Sequence, residues 1–148
     1  MKKILFLDFD GVLHSTNDRR GNFSRLPYLE KSLARMPDLD IVITSTWRES
    51  HGFEELKNLF PAHLRPRIIG KTPVLGRSNN PGGRQREIEA YLAAQSLDQS
   101  NAVWIVLDDM GFMFDADCPY LILVDHLRGF HRDDATRLMA WYKTTLSR

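Results

Sequence analysis

The stretch Ile4-Leu5-Phe6-Leu7-Asp8-Phe9-Asp10-Gly11-Val12-Leu13 decides the fold. An apolar run ends in two aspartates two residues apart, and a glycine follows at once. Apolar β-formers bounded by a turn residue predict a short buried strand. Packing alone gives no reason for carboxylates at its end, because an unpaired buried charge is expensive. In open α/β sheets, however, ligands bind at the carboxyl ends of strands. The stretch therefore reads as a strand that ends in a reactive centre, to which later segments bring further polar groups.

Chain-wide properties agree with a small α/β protein. The 148 residues predict a single domain over 1–148, with 43% hydrophobic and 26% charged residues. No apolar run is long enough to cross a bilayer, so no membrane partner is expected. Met1-Lys2-Lys3 before Ile-Leu-Phe-Leu imitates a signal peptide, but Asp8 and Asp10 cut the apolar run too short for one. The lone Cys118 excludes an internal disulfide framework, and the expected location is the cytoplasm. The net charge of +1 is unevenly spread. Leu56 to Arg86 contains no Asp or Glu, yet holds Lys57, Arg65, Arg67, Lys71, Arg77, Arg84 and Arg86. Such a block either concentrates an anionic substrate or forms a solvated face.

Along the chain, His14 to Pro27 is polar and aperiodic, a loop or small flap. Leu26, Leu29, Leu33 and Met36 predict a helix over 27–36 that Pro37 ends. Asp40 to Ser45 is a second strand, followed by a helix capped by Thr46 and continuing through Phe53, Leu56 and Phe60. Arg67-Ile68-Ile69 is a third strand, and Gly70 to Gly83 a loop of roughly a dozen residues. A helix from Arg84 to Ser96, strands at Ala102–Leu107 and Tyr120–Val124, and a helix opened by Asp133 or Asp134 complete the chain. Continuous apolar strands alternating with helices predict a three-layer, Rossmann-like α/β domain with a five-stranded parallel sheet.

Strand ends and helix starts then present one set: Asp8 and Asp10, Thr44 and Ser45, Arg84, and Asp108-Asp109. In a parallel sheet these lie along one edge. Carboxylates without nearby His or Cys clusters favour Mg²⁺ over zinc. A carboxylate also attacks phosphorus, while hydroxyls and a guanidinium hold the transferring oxygens. The chemistry expected is phosphoryl transfer. Arg84, Arg86 and Lys71 compete for the basic position, and Arg84 is preferred because it opens the helix three residues before Glu87.

These motifs resemble those of the haloacid dehalogenase (HAD) superfamily. Asp8-Phe9-Asp10-Gly11-Val12 is similar to its first motif, Ile41-Val42-Ile43-Thr44 to its second, Arg84 to its third and Leu107-Asp108-Asp109 to its fourth. Ser45-Thr46-Trp47-Arg48 and Arg84-Gln85-Arg86-Glu87-Ile88 further resemble the small HAD domains associated with Swiss Army Knife RNA repair proteins. The usual serine run before Trp-Arg is here Thr44-Ser45-Thr46, which keeps the hydroxyls. The resemblance implies a Mg²⁺-dependent phosphatase acting through an aspartyl-phosphate. It makes Asp8 the nucleophile and a metal ligand, and Asp10 the acid and base with its carbonyl on the metal. Thr44 and the Ser45 backbone would hold phosphate, Arg84 would neutralise it, and Asp108, Asp109 or both would complete the metal site. Gly11 and Arg48 are further substrate-side candidates; Trp47 and Arg48 could equally be packing residues. His14, His51 and Asp125 have structural readings that compete with functional ones.

Neither long loop has room for the cap domain that usually selects substrates in this superfamily. The implied site is open, which suits a large phosphorylated substrate, with a nucleic-acid end as one candidate. The alternative is a non-enzymatic phosphate- or RNA-binding module, or a receiver-like module.

Overall fold

The computed structural model describes residues 1–18, 21–76 and 80–147. Arg77, Asn79 and part of the His14–Pro27 loop lie outside them. The first strand, β1 (Lys2–Leu7), occupies the centre of a five-stranded sheet. Its residues Ile4 to Leu7 are completely buried. Burying each such side chain stabilises the fold by about 1.5–3 kcal/mol relative to exposure. Because side chains alternate along a strand, Leu5 and Leu7 enter one core and Ile4 and Phe6 the other.

The remaining elements are α1 (Leu26–Ala34), β2 (Leu39–Ile43), a 3₁₀ turn (Thr46–Glu49) and α2 (Phe53–Asn58). A 3₁₀ turn (Arg65–Arg67), β3 (Ile68–Lys71), α3 (Gly83–Ala94), β4 (Ala102–Asp108), β5 (Leu121–Leu123) and α4 (Arg132–Thr145) follow. The strand order is β3-β2-β1-β4-β5, and every pairing is parallel. Leu29 and Leu33 of α1, Leu56 of α2 and Leu138 of α4 share the core of Leu5 and Leu7. Ile88 and Tyr91 of α3 pack with Ile4 and Phe6 on the opposite face. The chain winds outward from β1 to β3 and then crosses back to β4, so the order reverses between β1 and β4. That reversal is where open α/β sheets bind ligands. Among the described residues, no further helix or strand of cap size interrupts the β1–α1 or β3–α3 connections. No helix is long and apolar enough to cross a membrane.

Three local expectations are corrected. The continuous helix from Thr46 breaks after Glu49, and Ser45 is its cap, accepting from Trp47 N–H. Gly52 is extended there, and its N–H donates to Glu55, which starts α2 afresh. Arg67 belongs to a 3₁₀ turn, and β3 instead extends through Gly70 to Lys71. A side chain at Gly70 would crowd the Tyr91 hydroxyl, which lies 3.0 Å from the Cβ position. The His14–Pro27 loop, where described, is anchored: Phe23 is buried, and Thr16 N–H donates to the His126 carbonyl.

The acid-free segment also takes on a different meaning. Arg67 donates to the carbonyls of Leu33, Met36 and Leu39, closing the end of α1 and the start of β2. Arg65 donates to the Phe60 carbonyl. Replacing Arg67 with Met should therefore lower unfolding stability by about 2 kcal/mol, because several carbonyls lose their donor at once. Urea titration checks this; an unchanged midpoint would mean Arg67 is only a surface charge.

Candidate active site

Register builds the site. Leu7 of β1 pairs with Ile43 of β2 and with Leu107 of β4. The next level holds Thr44, Asp8 and Asp108, with Thr44 N–H bonded to Leu7 O and Asp8 N–H to Leu107 O. These three continue the even-numbered face of the sheet, the side covered by α3. Arg84, in the first turn of α3, therefore meets Asp8 and Asp108. Its Nη1 lies 2.6 Å from Asp108 Oδ2 and 3.2 Å from Asp8 Oδ2, and all three residues are buried. Asp108 Oδ1 also accepts from Met110 N–H at 2.8 Å.

Asp109 joins the group. One oxygen from each of Asp8, Asp108 and Asp109 falls within 4.8 Å of the others. Gly11 permits this approach: its φ is +78°, and a Cβ there would overlap the Asp109 carboxylate. Asp109 Oδ1 and Thr44 Oγ1 are buried without a hydrogen-bond partner among the described residues. Burial, reinforced by Asp108 and Asp109 against the opposing Arg84, pushes the Asp8 carboxyl well above the usual carboxylate range. Burial likewise pushes Asp108 up to about 6, against the pull of Arg84 and the Met110 N–H. Burial pulls Arg84 down, but Asp8 and Asp108 outweigh it and hold Arg84 above its ordinary value. One guanidinium thus faces three carboxylates, with an acceptor oxygen left over. Such an all-oxygen set, short of positive charge, fits a hard divalent cation such as Mg²⁺.

Asp10 sits apart from this cluster. Its side chain is 52% exposed and accepts from His14 Nε2 at 2.8 Å and Trp47 Nε1 at 2.9 Å. Ser45 is buried and caps the Thr46–Glu49 turn. Of the competing cations, Arg86 is half exposed and paired with Asp115 and Glu89, and Lys71 is exposed at the end of β3. Only Arg84 among these three meets the carboxylates.

The expectation of substrate contact is corrected for Arg48. It is buried, and all five of its N–H donors are used inside the fold. They reach the carbonyls of Thr44, Ser45, Thr72 and Pro73 and the Glu87 carboxylate, the last at 2.8 Å. Arg48 thereby fixes the Thr44–Ser45 turn from beneath. Glu87, to which the sequence reading gives no role of its own, is its partner and also accepts from Leu75 N–H. The two stretches that resemble the small HAD domains, Ser45–Arg48 and Arg84–Ile88, contain both partners of this arrangement. Asp125 is a turn residue, accepting from Leu127 N–H, and His51 stacks on Trp47.

A family model described as the HAD domain in Swiss Army Knife RNA repair proteins matches residues 4–135. The chain belongs to this family. No curated protein and no solved structure matches it. As a HAD domain, the chain is associated with phosphohydrolase-type chemistry at that coarse level.

Two outcomes follow from the geometry. A carboxyl whose folded pKa is raised keeps its proton longer in the folded than in the unfolded chain. Between the unfolded value near 3.8 and the folded value, stability therefore falls as pH rises. In EDTA, stability should fall as pH rises from 4 to 6 more steeply in wild type than in Asp8→Asn, by up to about 1.4 kcal/mol per pH unit for the one carboxyl removed. Equal slopes in denaturant titrations would contradict the buried-carboxyl account. Arg48→Met should cost about 3–5 kcal/mol of stability because it strands Glu87, and adding Glu87→Gln should recover part of it. A substrate-contacting arginine would instead raise KM and leave Tm in place.

Proposed function

We propose that this HAD domain is a Mg²⁺-dependent phosphomonoester hydrolase that works through an aspartyl-phosphate on Asp8. The observation that carries this reading is the convergence of Asp8, Arg84, Asp108 and Asp109 beside the Thr44 hydroxyl, which has no hydrogen-bond partner among the described residues. In the first step a carboxylate oxygen of Asp8 attacks phosphorus and the bond to the leaving oxygen breaks. Asp10 gives that oxygen its proton. In the second step Asp10 takes a proton from water as the water oxygen attacks phosphorus. The Asp8–phosphorus bond breaks, inorganic phosphate leaves and the Asp8 carboxylate is restored. Thr44 Oγ1 and the Ser45 backbone hold phosphate oxygens, and Arg84 offsets their charge.

Asp8, Asp109 and the Asp10 carbonyl are the ligands we assign to Mg²⁺, with Asp108 committed to Arg84 and to Met110 N–H. When bound, the ion neutralises charge on the transferring oxygens and favours ionised Asp8. The reading extends to a large phosphorylated substrate, with a phosphorylated nucleic-acid end as the leading candidate. Two things support that extension: the lack of a cap-sized element among the described residues, and the RNA-repair setting in the family's description. The Leu56–Arg86 block lends it less support, because Arg65, Arg67, Arg84 and Arg86 are engaged within the protein.

The test is turnover with Mg²⁺ and with EDTA on aryl phosphate, sugar phosphates, and 5′- and 3′-phosphorylated oligonucleotides. Asp8→Asn should lower hydrolysis by about 10³-fold or more while keeping the fold, EDTA should abolish it, and an oligonucleotide should be the best substrate. Equal activity in Asp8→Asn would overturn the mechanism, and preference for a small sugar phosphate would overturn the substrate class.

A further inference from the structure

We propose that His14 and Trp47 are positioning residues that fix the Asp10 carboxylate for proton transfer, an inference that rests on the phosphatase reading above. Asp10 is half exposed, and a side chain so placed ordinarily samples several rotamers. Here each carboxylate oxygen accepts one ring N–H, Oδ1 from His14 Nε2 and Oδ2 from Trp47 Nε1. Each oxygen keeps a second acceptor position. The clamp therefore sets the direction of the carboxylate and still leaves room for the proton it moves.

The two donors are themselves held. His14 is 1% exposed and stacks on Phe23, ring centroids 5.7 Å apart and planes 15° from parallel. Trp47 meets the edge of Phe9 at 5.4 Å, tilts against Phe23 at 5.5 Å and stacks on His51 at 5.8 Å. Gly21, at φ +56°, lets the loop close over both rings: its Cβ position lies 3.2 Å from Trp47 and 3.5 Å from His14. His14 Nδ1 is buried without a partner among the described residues. A proton there would be a buried, unpaired donor, so we assign the ring proton to Nε2, facing Asp10. Phe9, lying between Asp8 and Asp10 in sequence, packs into the same aromatic cluster through Phe23, Trp47 and Phe60. The orientation of Asp10 is thus settled before substrate arrives, which removes an ordering step from the reaction.

Leaving-group dependence separates this role from simple support of the fold. A poor leaving group, such as the alkoxide of an alkyl phosphate, needs the proton from Asp10; p-nitrophenolate needs it far less. Values of kcat/KM for the two phosphates would be measured in wild type, Trp47→Phe, His14→Phe and His14→Gln, with Tm as the check on folding. Trp47→Phe keeps the ring and deletes the donor; His14→Gln keeps an N–H at similar reach. In Trp47→Phe and His14→Phe, the alkyl phosphate should lose at least about tenfold more than the aryl phosphate, and His14→Gln should recover part of the loss. Equal losses on both substrates, with wild type active, would overturn the positioning role and leave the phosphatase reading standing. No turnover of either substrate by wild type would overturn both. Should His14→Phe fail to fold, Trp47→Phe decides the matter.

Discussion

The site depends on one guanidinium. Arg84 bridges Asp8 and Asp108 at the point where the sheet reverses its winding, and both carboxylates are buried. Two like charges so close and so dry would repel strongly without it. Arg84 only partly relieves them, because Asp109 adds a third carboxyl to the group. Burial raises the Asp8 and Asp108 pKa values, and the neighbouring carboxylates add to it while Arg84 opposes it. These carboxyls place a local destabilisation at this edge, of the kind that clusters at functional sites.

Around that centre the fold supplies rigidity in two separate ways. Parallel register sets Thr44, Asp8 and Asp108 at one level, and no loop is involved in that alignment. Arg48 then holds the turn after β2 by saturating its donors on four carbonyls and Glu87. The aromatic cluster of Phe9, Phe23, Trp47 and Phe60 does for Asp10 what Arg48 does for Thr44. In both cases a turn at a strand end is fixed by side chains from elsewhere in the chain.

Much of this was legible before any coordinates. Continuous apolar runs ending in polar residues mark β1, β2 and β4 and the polar groups at their ends, because buried parallel strands permit little else in sequence. The choice of Arg84 over Arg86 was harder to reach from sequence. Positions two apart on a helix point to nearly opposite faces, and only packing against the sheet decides which face turns inward. The break before α2 was hidden because Phe53, Leu56 and Phe60 keep helical spacing, while Gly52 adopts an extended conformation. Sequence leaves Arg48 open between substrate contact and packing because arginine is seldom buried, and three of its partners, Thr72, Pro73 and Glu87, come from distant segments. His14 and Trp47 were visible as residues, but nothing in their spacing announced that both would reach Asp10.

The central claim is that a carboxylate oxygen of Asp8 is the nucleophile that attacks phosphorus. Acid quench within one turnover of a phosphorus-labelled substrate, followed by peptide mapping, measures this most directly. The account predicts acid-stable, hydroxylamine-sensitive label on the peptide that contains Asp8, and none in Asp8→Asn. Turnover with no labelled protein, or with label on another residue, would contradict it.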